Sequence, residues 1–366
     1  MGNNVRIAVN SRFLTQQVTG VQRYGIELAR ELKRIDSSIE FICPEKVVHH
    51  ELKRELNAKV LGRFSGHLWE QIDLPLYLKS VGSPLLVNLA NSAPMLYGNN
   101  VVSVHDVAFE RFPESFSVKF RFYYRFMIPR VLKSSKAVVT VSEFSRNELV
   151  ERYGLNHEKI SVVYNAVNEQ FRQKTTISDE LYVLAVSSLN YQKNFHSLIK
   201  AFNLLEDKNV KLYLVGGFNK SFADVTLIDD IKKNKNIVFK GRVDDDELIM
   251  LYSNALCFVF PSFYEGFGIP PLEAQSCGCP VIVSNVASIP EICGESVVYC
   301  DPYNVDDIAD KISGVLRDQK LRNDMVKMGY ENVSRFSWKR SAEKIYSIIR
   351  AVQSYSFREN VILNNI

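Results

Sequence analysis

The chain has 366 residues but no apolar run near the ~18 residues needed to cross a bilayer. Its opening stretch, MGNNVRIAVN, reads as a strand and lacks the apolar core of a signal peptide. Cysteines are few, at 43, 257, 277, 279, 293 and 300, and no two make a CxxC pair. This argues against a disulfide framework or a zinc site and for buried thiols in a reducing compartment. No GxGxxG is present: Gly20-Val-Gln-Arg-Tyr-Gly25 holds two glycines at another spacing, so a dinucleotide fingerprint is unsupported. Gly216-Gly217-Phe-Asn-Lys220-Ser221 ends like a phosphate loop but lacks the glycine–lysine adjacency. There is no zinc-finger or RNP signature and no dense basic cluster, so nucleic acid is not expected as a partner. Asp244-Asp245-Asp246 resembles a metal-binding triplet but sits where a helix begins, and carboxylates there offset the helix dipole. No metal site is assigned.

What remains is a globular chain, 46% hydrophobic and 23% charged, long enough for two cores. Charge is uneven. Residues 1–172 carry 23 Lys+Arg against 17 Asp+Glu, and the rest carry 22 against 24. A basic first half suits an anionic lipid or a phosphorylated substrate. Apolar strands are expected at 5–9, 101–104, 136–141, 181–186, 211–215, 237–239, 256–260, 281–283 and 297–299. Helical patterns alternate with them, as at 21–34, 195–205 and 245–252. The polar stretch NEQFRQKTTISDE, 168–180, reads as a linker. The rhythm predicts an α/β fold of two doubly wound, Rossmann-like domains, each a parallel sheet covered on both faces. The expected boundaries are 1–172 and 178–344, with a terminal helix at about 345–366 crossing back to the first domain. Ligands in such folds bind beyond the carboxyl ends of strands. That rule directs attention to His105, Ser142, Ser187, Gly216, Gly241 and Pro261.

Residues 117–136, SVKFRFYYRFMIPRVLKSSK, place Phe120, Tyr123, Tyr124, Met127 and Val131 at helical spacing. Lys119, Arg121, Arg125, Arg130 and Lys133 are interleaved. A basic aromatic helix of this kind can lie on an anionic membrane, or pack its aromatic stripe on the first sheet. Pro129 is expected to kink or end it.

The most informative stretch runs from Phe258 to Pro302. A strand ends at Pro261, a glycine-rich turn carries Glu265-Gly266-Phe267-Gly268, and Pro270-Pro271 preset the first turn of a helix bearing Leu272 and Glu273. Backbone N–H groups at such a turn can meet an anion. A carboxylate beside a phosphate is repelled, so Glu265 and Glu273 suit the hydroxyls of a sugar and a ribose.

This stretch closely resembles the retaining glycosyltransferases of family 4, whose hallmark is a Glu, seven residues and a second Glu, and which have the GT-B fold of two Rossmann-like domains facing a central cleft. Thr19 to Gly25, Val104-His105-Asp106, Phe112-Pro113-Glu114, Val141 to Ser145, Tyr164 to Val167 and Ser188 to Asn194 resemble further landmarks of that family. The subgroup resembles mannosyl- and rhamnosyltransferases of bacterial surface-polysaccharide assembly. The resemblance implies that Glu265 contacts hydroxyls of the donor sugar with the N–H groups of Gly266, Phe267 and Gly268. It implies that Glu273 holds the ribose, Lys193 neutralises the diphosphate, and Gly20 lets its backbone approach the phosphate. Ser188 and Leu272 would line the donor, Arg242 and Val243 would border the base, and His105 and Asp106 would face the sugar and the acceptor.

One departure stands out. Relatives usually have an arginine just before the lysine, or a Gly-Arg pair upstream, where this chain has Gln192 and Ser187-Ser188. Arg12, Arg23 or Arg242 could substitute. The implied activity is metal-independent transfer of a hexose, with GDP-mannose as preferred donor and no cofactor, to a glycan or lipid-linked hydroxyl. The implied setting is cytoplasmic, peripheral at the inner face of the cell membrane. Rhamnosyl or other hexosyl transfer, a sugar-nucleotide epimerase of the same fold, and a degenerate scaffold subunit stay open on the residues alone.

Overall fold

The computed structural model describes residues 7–174, 180–207, 209–217, 231 and 233–363, with 355–363 as backbone only. Lys220 and Ser221 of the phosphate-loop-like stretch, and part of the linker, lie outside the described residues. The chain divides into two compact units. Unit 1 comprises Met1–Asp106, Phe122–Asn165 and Ser337–Ile366; unit 2 comprises Val107–Arg121 and Ala166–Phe336.

This division differs from the sequence boundaries in three places, one being that residues 166–172 fall in unit 2. Residues 107–121 go with unit 2, because Val107 N–H donates to the Tyr264 hydroxyl (3.3 Å), Phe112 stacks on Phe263 (6.3 Å between centroids) and Gln192 N–H donates to Ser115 Oγ (3.4 Å). The returning helix, Trp338–Leu363, joins unit 1 from its first turn. It packs along the helix Gly20–Ile35, where Tyr346 Oη donates to Asp36 Oδ2 (2.9 Å), while Ser341 Oγ donates to the Tyr164 carbonyl (2.6 Å).

Unit 1 is built on seven parallel strands: β1 Ile7–Asn10, β2 Glu40–Cys43, β3 Lys59–Val60, β4 Leu85–Asn88, β5 Asn100–Ser103, β6 Ala137–Thr140 and β7 Ile160–Val162, in the order β3-β2-β1-β4-β5-β6-β7. Strands β1, β4 and β5 are buried along their whole length, as expected of a sheet covered on both faces. Strands β2, β3, β4 and β7 were not expected from the sequence; each is four residues or shorter and sits among turn residues.

The helix Val118–Ser134 continues through Pro129, so the proline does not end it. A proline inside a helix costs about 3 kcal/mol. Burial of Met127, Ile128, Val131 and Leu132 on the sheet side offsets it, since each such side chain contributes about 1.5–3 kcal/mol. Tyr124, Met127 and Val131 of the aromatic stripe therefore face the core, and the exposed line of the helix is Phe122 and Phe126.

Unit 2 has six parallel strands: β8 Tyr182–Val186, β9 Lys211–Val215, β10 Ile237–Gly241, β11 Cys257–Phe260, β12 Val281–Ser284 and β13 Val298–Cys300, in the order β10-β9-β8-β11-β12-β13. Side chains alternate between its two faces. Val183, Ala185, Leu212 and Leu214 pack with Leu198, Ile199, Ile308 and Ile312 on one side. Tyr182, Leu184, Tyr213, Val215, Phe258 and Phe260 pack with Tyr252, Ala274 and Ile289 on the other. In both sheets the strand order reverses once, between β1 and β4 and between β8 and β11. That is where a doubly wound sheet leaves a crevice at its carboxyl edge.

Candidate active site

In unit 2 the crevice is formed by the loops that leave β8 and β11. After β8 the chain makes a short turn, Tyr191–Lys193, closed by Asn194 in the left-handed region (φ 60°), which asparagine tolerates better than most residues. Asn194 is fully buried, and its amide donates to the Pro261 carbonyl (2.9 Å) and the Pro302 carbonyl (2.7 Å). It thereby ties the loop carrying Lys193 to the loop carrying Glu265. From the far side Ser288 Oγ donates to the Glu265 and Phe267 carbonyls (2.9 and 3.1 Å).

So held, Lys193 Nζ lies 2.6 Å from Glu265 Oε1, with the two side chains 15% and 11% exposed. The lysine also sits 5.8 Å from the centre of the Phe260 ring. Four buried polar atoms of these loops, Asn190 Oδ1, Gln192 Oε1, Asn194 Oδ1 and Ser262 Oγ, have no hydrogen-bond partner among the described residues. An unsatisfied buried polar atom costs about 1–3 kcal/mol, so their concentration here marks a place shaped for more than packing.

Gly268 ends the loop at φ +95°, and a Cβ there would meet Ile289 Cδ1 at 2.7 Å. The helix Ile269–Ser276 begins next. Its prolines at 270 and 271 bring no N–H, so the donors of this turn narrow to Gly266, Phe267, Gly268 and Ile269. Leu272 has no exposed surface. Glu273 is 6% exposed; Tyr252 Oη donates to its Oε2 at 3.4 Å. Burial first, then Glu273, keep the Tyr252 hydroxyl protonated far above neutral pH.

The ends of β8, β9 and β10 crowd together. Gly216 (φ +152°) approaches the Ser187 carbonyl so closely that a Cβ would stand 1.7 Å from it. The exposed Arg242 lies against Gly217, where a Cβ would meet its Nε at 2.4 Å. Ser188 is exposed and accepts from Asn190 Nδ2 (3.2 Å); Val243 is half-buried against the core.

Gln192, standing where relatives usually have arginine, is 6% exposed and packs into the loops, its amide donating to the Tyr264 carbonyl (3.4 Å). Of the substitute cations considered, Arg242 lies on the same sheet edge as Lys193, whereas Arg12 is committed to a buried ion pair in unit 1. The acidic triplet is in use as protein structure. Asp244 caps the helix Asp245–Asn254, Asp245 accepts from Gln170 Nε2 (2.7 Å), and Asp246 pairs with Lys174 (2.9 Å).

His105, Asp106 and Gly20 lie in unit 1. His105 follows β5 and is 5% exposed, its ring edge-on to Tyr24 at 4.4 Å. Its backbone N–H donates to Asn91 Oδ1 (2.8 Å). Burial pushes its pKa down to about 4, and a hydrogen bond to the Leu89 backbone only partly opposes that, so the imidazole is neutral at neutral pH. Its Nε2 is buried without a partner among the described residues. Asp106 is half-buried beside it. Gly20 is exposed at the start of its helix, and a Cβ there would meet nothing within 4 Å, so the protein itself does not require the missing side chain.

Sequence reading missed Ser288 and Tyr252, and named Asn194 only as the end of a family-like segment, with no role of its own. Only the left-handed backbone of Asn194 had a faint signal, in a polar turn just before an apolar helix.

Comparison with known proteins speaks to the family and the fold. Residues 167–332 match the model of the Glycosyl transferases group 1 family, and residues 18–171 match that of Glycosyltransferase Family 4. The chain is 31% identical over 310 residues to the O-antigen chain mannosyltransferase RfbU of Salmonella typhimurium, covering 80% of this chain and 86% of that one. It is 32% identical over 253 residues to O-antigen chain mannosyltransferase B of Escherichia coli, covering 65% and 66%. Among solved structures, HepE of Anabaena in complex with UDP and glucose superposes with a TM-score of 0.76 at 18% identity, over 95% of this chain and 100% of that one. The sucrose-phosphate synthase of Thermosynechococcus elongatus gives 0.75 at 18% identity, over 96% and 99%. At that identity these two structures speak for the GT-B fold.

Proposed function

The chain belongs to glycosyltransferase family 4, and from that premise we propose that it moves mannose from GDP-mannose onto a hydroxyl of a lipid-linked or polysaccharide acceptor, with retained anomeric configuration and without a metal. The observation that carries this reading is the Lys193–Glu265 pair at the unit 2 switch point. A nucleotide sugar that offers its hydroxyls to Glu265 sets its diphosphate against Lys193. Relatives named for O-antigen mannosyl transfer support the sugar and the acceptor class.

The sugar C1–O bond to the diphosphate breaks, and a bond forms between C1 and the acceptor oxygen on the same face. The acceptor proton passes to an oxygen of the departing diphosphate, so no side chain has to be a strong base. The charge on the leaving group is met by Lys193 and by the N–H groups of Gly266, Phe267 and Gly268, fixed in place before reaction. Glu273 takes the ribose hydroxyls. Arg242, with Val243 beside it, borders the base. His105, neutral, accepts a hydrogen bond from a sugar hydroxyl at Nε2 and brings no charge.

The test is a binding and turnover screen with GDP-mannose, GDP- and dTDP-deoxysugars and UDP-hexoses, with and without EDTA. Selective GDP-mannose binding that survives EDTA and is lost in Lys193→Ala is the expected result. Binding of none of these donors would sink the proposal. EDTA-sensitive turnover would sink its metal-free form.

A peripheral, cytoplasmic location at an anionic membrane belongs to the same reading. No helix among the described residues is long and apolar enough to cross a membrane. The helix Val118–Ser134 holds no acidic residue, and it exposes Phe122 (78%) and Phe126 beside Arg125, Arg130 and Lys133. Cosedimentation with phosphatidylglycerol vesicles, absent with phosphatidylcholine, is expected to weaken in Arg125→Glu/Lys133→Glu by about 1 kcal/mol per basic residue removed, or more. Unchanged binding would remove the helix from the account.

A further inference from the structure

A polar network in unit 1, of which only Arg12 has been considered so far, has no role in the site above. It sits at the switch point of that sheet, where the chain leaving β1 passes the chain leaving β4. Its centre is Glu70, in the helix Gly66–Gln71, with no exposed surface. Glu70 Oε1 accepts from Asn10 Nδ2 (2.8 Å), Ser92 Oγ (2.8 Å) and Arg12 Nε (3.3 Å). Arg12 Nη2 in turn donates to Ser92 Oγ (2.8 Å). Asn10 and Arg12 come from the end of β1, and Ser92 from the segment after β4.

The other carboxylate oxygen, Oε2, lies 3.2 Å from Nδ1 of His67. His67 is the part of this network that reaches solvent, its side chain 34% exposed, with its ring held against Tyr123 (4.5 Å) and Tyr124 (6.0 Å). Burying an ion pair gains little stability over apolar side chains of the same volume. What the network does achieve is geometry: a carboxylate that takes Nδ1–H fixes the aim of the imidazole and, in the neutral ring, the tautomer that leaves the lone pair on Nε2.

We infer that His67 is an acceptor-binding residue, its Nε2 receiving a hydrogen bond from a hydroxyl of the carbohydrate acceptor, with Glu70 and Arg12 as positioning residues behind it. The inference rests on the transferase reading, which requires a hydroxyl-bearing second substrate. The juxtaposition that carries it is a partly exposed imidazole, oriented by a fully buried carboxylate, at the sheet edge where doubly wound folds take ligands. His67→Asn keeps a donor toward Glu70 but removes the Nε2 acceptor, whereas the amide oxygen of His67→Gln reaches nearly as far as Nε2.

The experiment uses the full chain labelled with ¹⁵N-histidine, its His67 signal assigned by difference from His67→Asn. GDP-mannose is present, and methyl α-mannopyranoside is titrated as the acceptor probe. The expected result is a saturable shift of the His67 nitrogens, with probe affinity falling about tenfold in His67→Asn, the worth of one hydrogen bond, and recovering in His67→Gln. Nucleotide-sugar affinity stays unchanged in both variants, and Tm stays unchanged in His67→Asn, which keeps the donor toward Glu70. No shift of the His67 signal across the titration overturns the inference, as does a His67→Asn variant that loses nucleotide-sugar binding or thermal stability. Failure of the unaltered chain to bind any nucleotide sugar is a separate outcome; it removes the transferase reading, and this inference with it.

Discussion

Each unit holds a cation–carboxylate pair at its switch point, and the two are built differently. In unit 1 the Arg12–Glu70 pair is 6% and 0% exposed, and the carboxylate is saturated by Asn10, Ser92 and His67 as well. In unit 2 the Lys193–Glu265 pair is a 2.6 Å contact with side chains 15% and 11% exposed, set among orphaned polar atoms. A guanidinium presents a rigid fork that bonds two neighbours at once, while an ammonium is a compact charge on a flexible stem. The first pair is therefore architecture that aims something else. The second is the pair that the proposed function opens to a nucleotide sugar.

Breaking the unit 1 pair should have the largest effect on stability. Glu70→Ala strands a buried guanidinium and is expected to cost about 3–5 kcal/mol, read as a large fall in Tm or in the urea midpoint. A loss under 1 kcal/mol would mean that the network is dispensable. The unit 2 pair should respond in the opposite way. Lys193→Ala is expected to lower kcat/KM by ~10²–10³, as when one charge-stabilising group is removed from a transition state, while Tm falls far less than in Glu70→Ala. Equal losses of Tm in the two variants would erase the distinction drawn here.

Smaller effects should appear with pH. Burial lowers the folded-state pKa of His105 to about 4 from an ordinary 6.5, so the unfolded chain binds the proton first. The stability from the neutral imidazole is complete above 6.5 and is lost between 6.5 and 4, at up to about 1.4 kcal/mol per pH unit. His105→Asn should flatten urea-midpoint curves over that window. Glu70 adds a second window. Burial alone would raise its carboxyl, but Arg12 and the hydrogen bonds from His67 and Ser92 reverse this and bring it down to about 2. Its contribution is present above about 4.5 and disappears as pH falls from there toward 2. The smallest change should be Arg12→Lys. It keeps the charge but cannot hold Glu70 and Ser92 together, for a loss of about 1–2 kcal/mol.

Much of unit 2 was legible because its strands are short apolar runs ended by glycine or proline, such as Lys211–Val215 before Gly216 and Cys257–Phe260 before Pro261. Unit 1 was harder. Strand β4, Leu85–Asn88, is only four residues long, between Gly82-Ser83-Pro84 and Asn91-Ser92, and β3 is two residues long. Glu265 and Glu273 could be read because the turn and helix between them are local. Glu70 could not. In HLWEQ it looks like an ordinary surface acid, and only partners 58 and 60 positions away bury it.

By itself, the sequence determined the alternation of strand and helix, the two parallel sheets, and the loop that brings two glutamates to one helix start, since all of these follow from apolar periodicity and the backbone limits of glycine and proline. Tertiary structure alone decided which cation meets which carboxylate, that Pro129 stays inside its helix, and that residues 107–121 pack with the second unit. Those outcomes depend on burial and on groups far apart in the chain, and desolvation makes an ionic contact strong or costly only once the surrounding fold has excluded water.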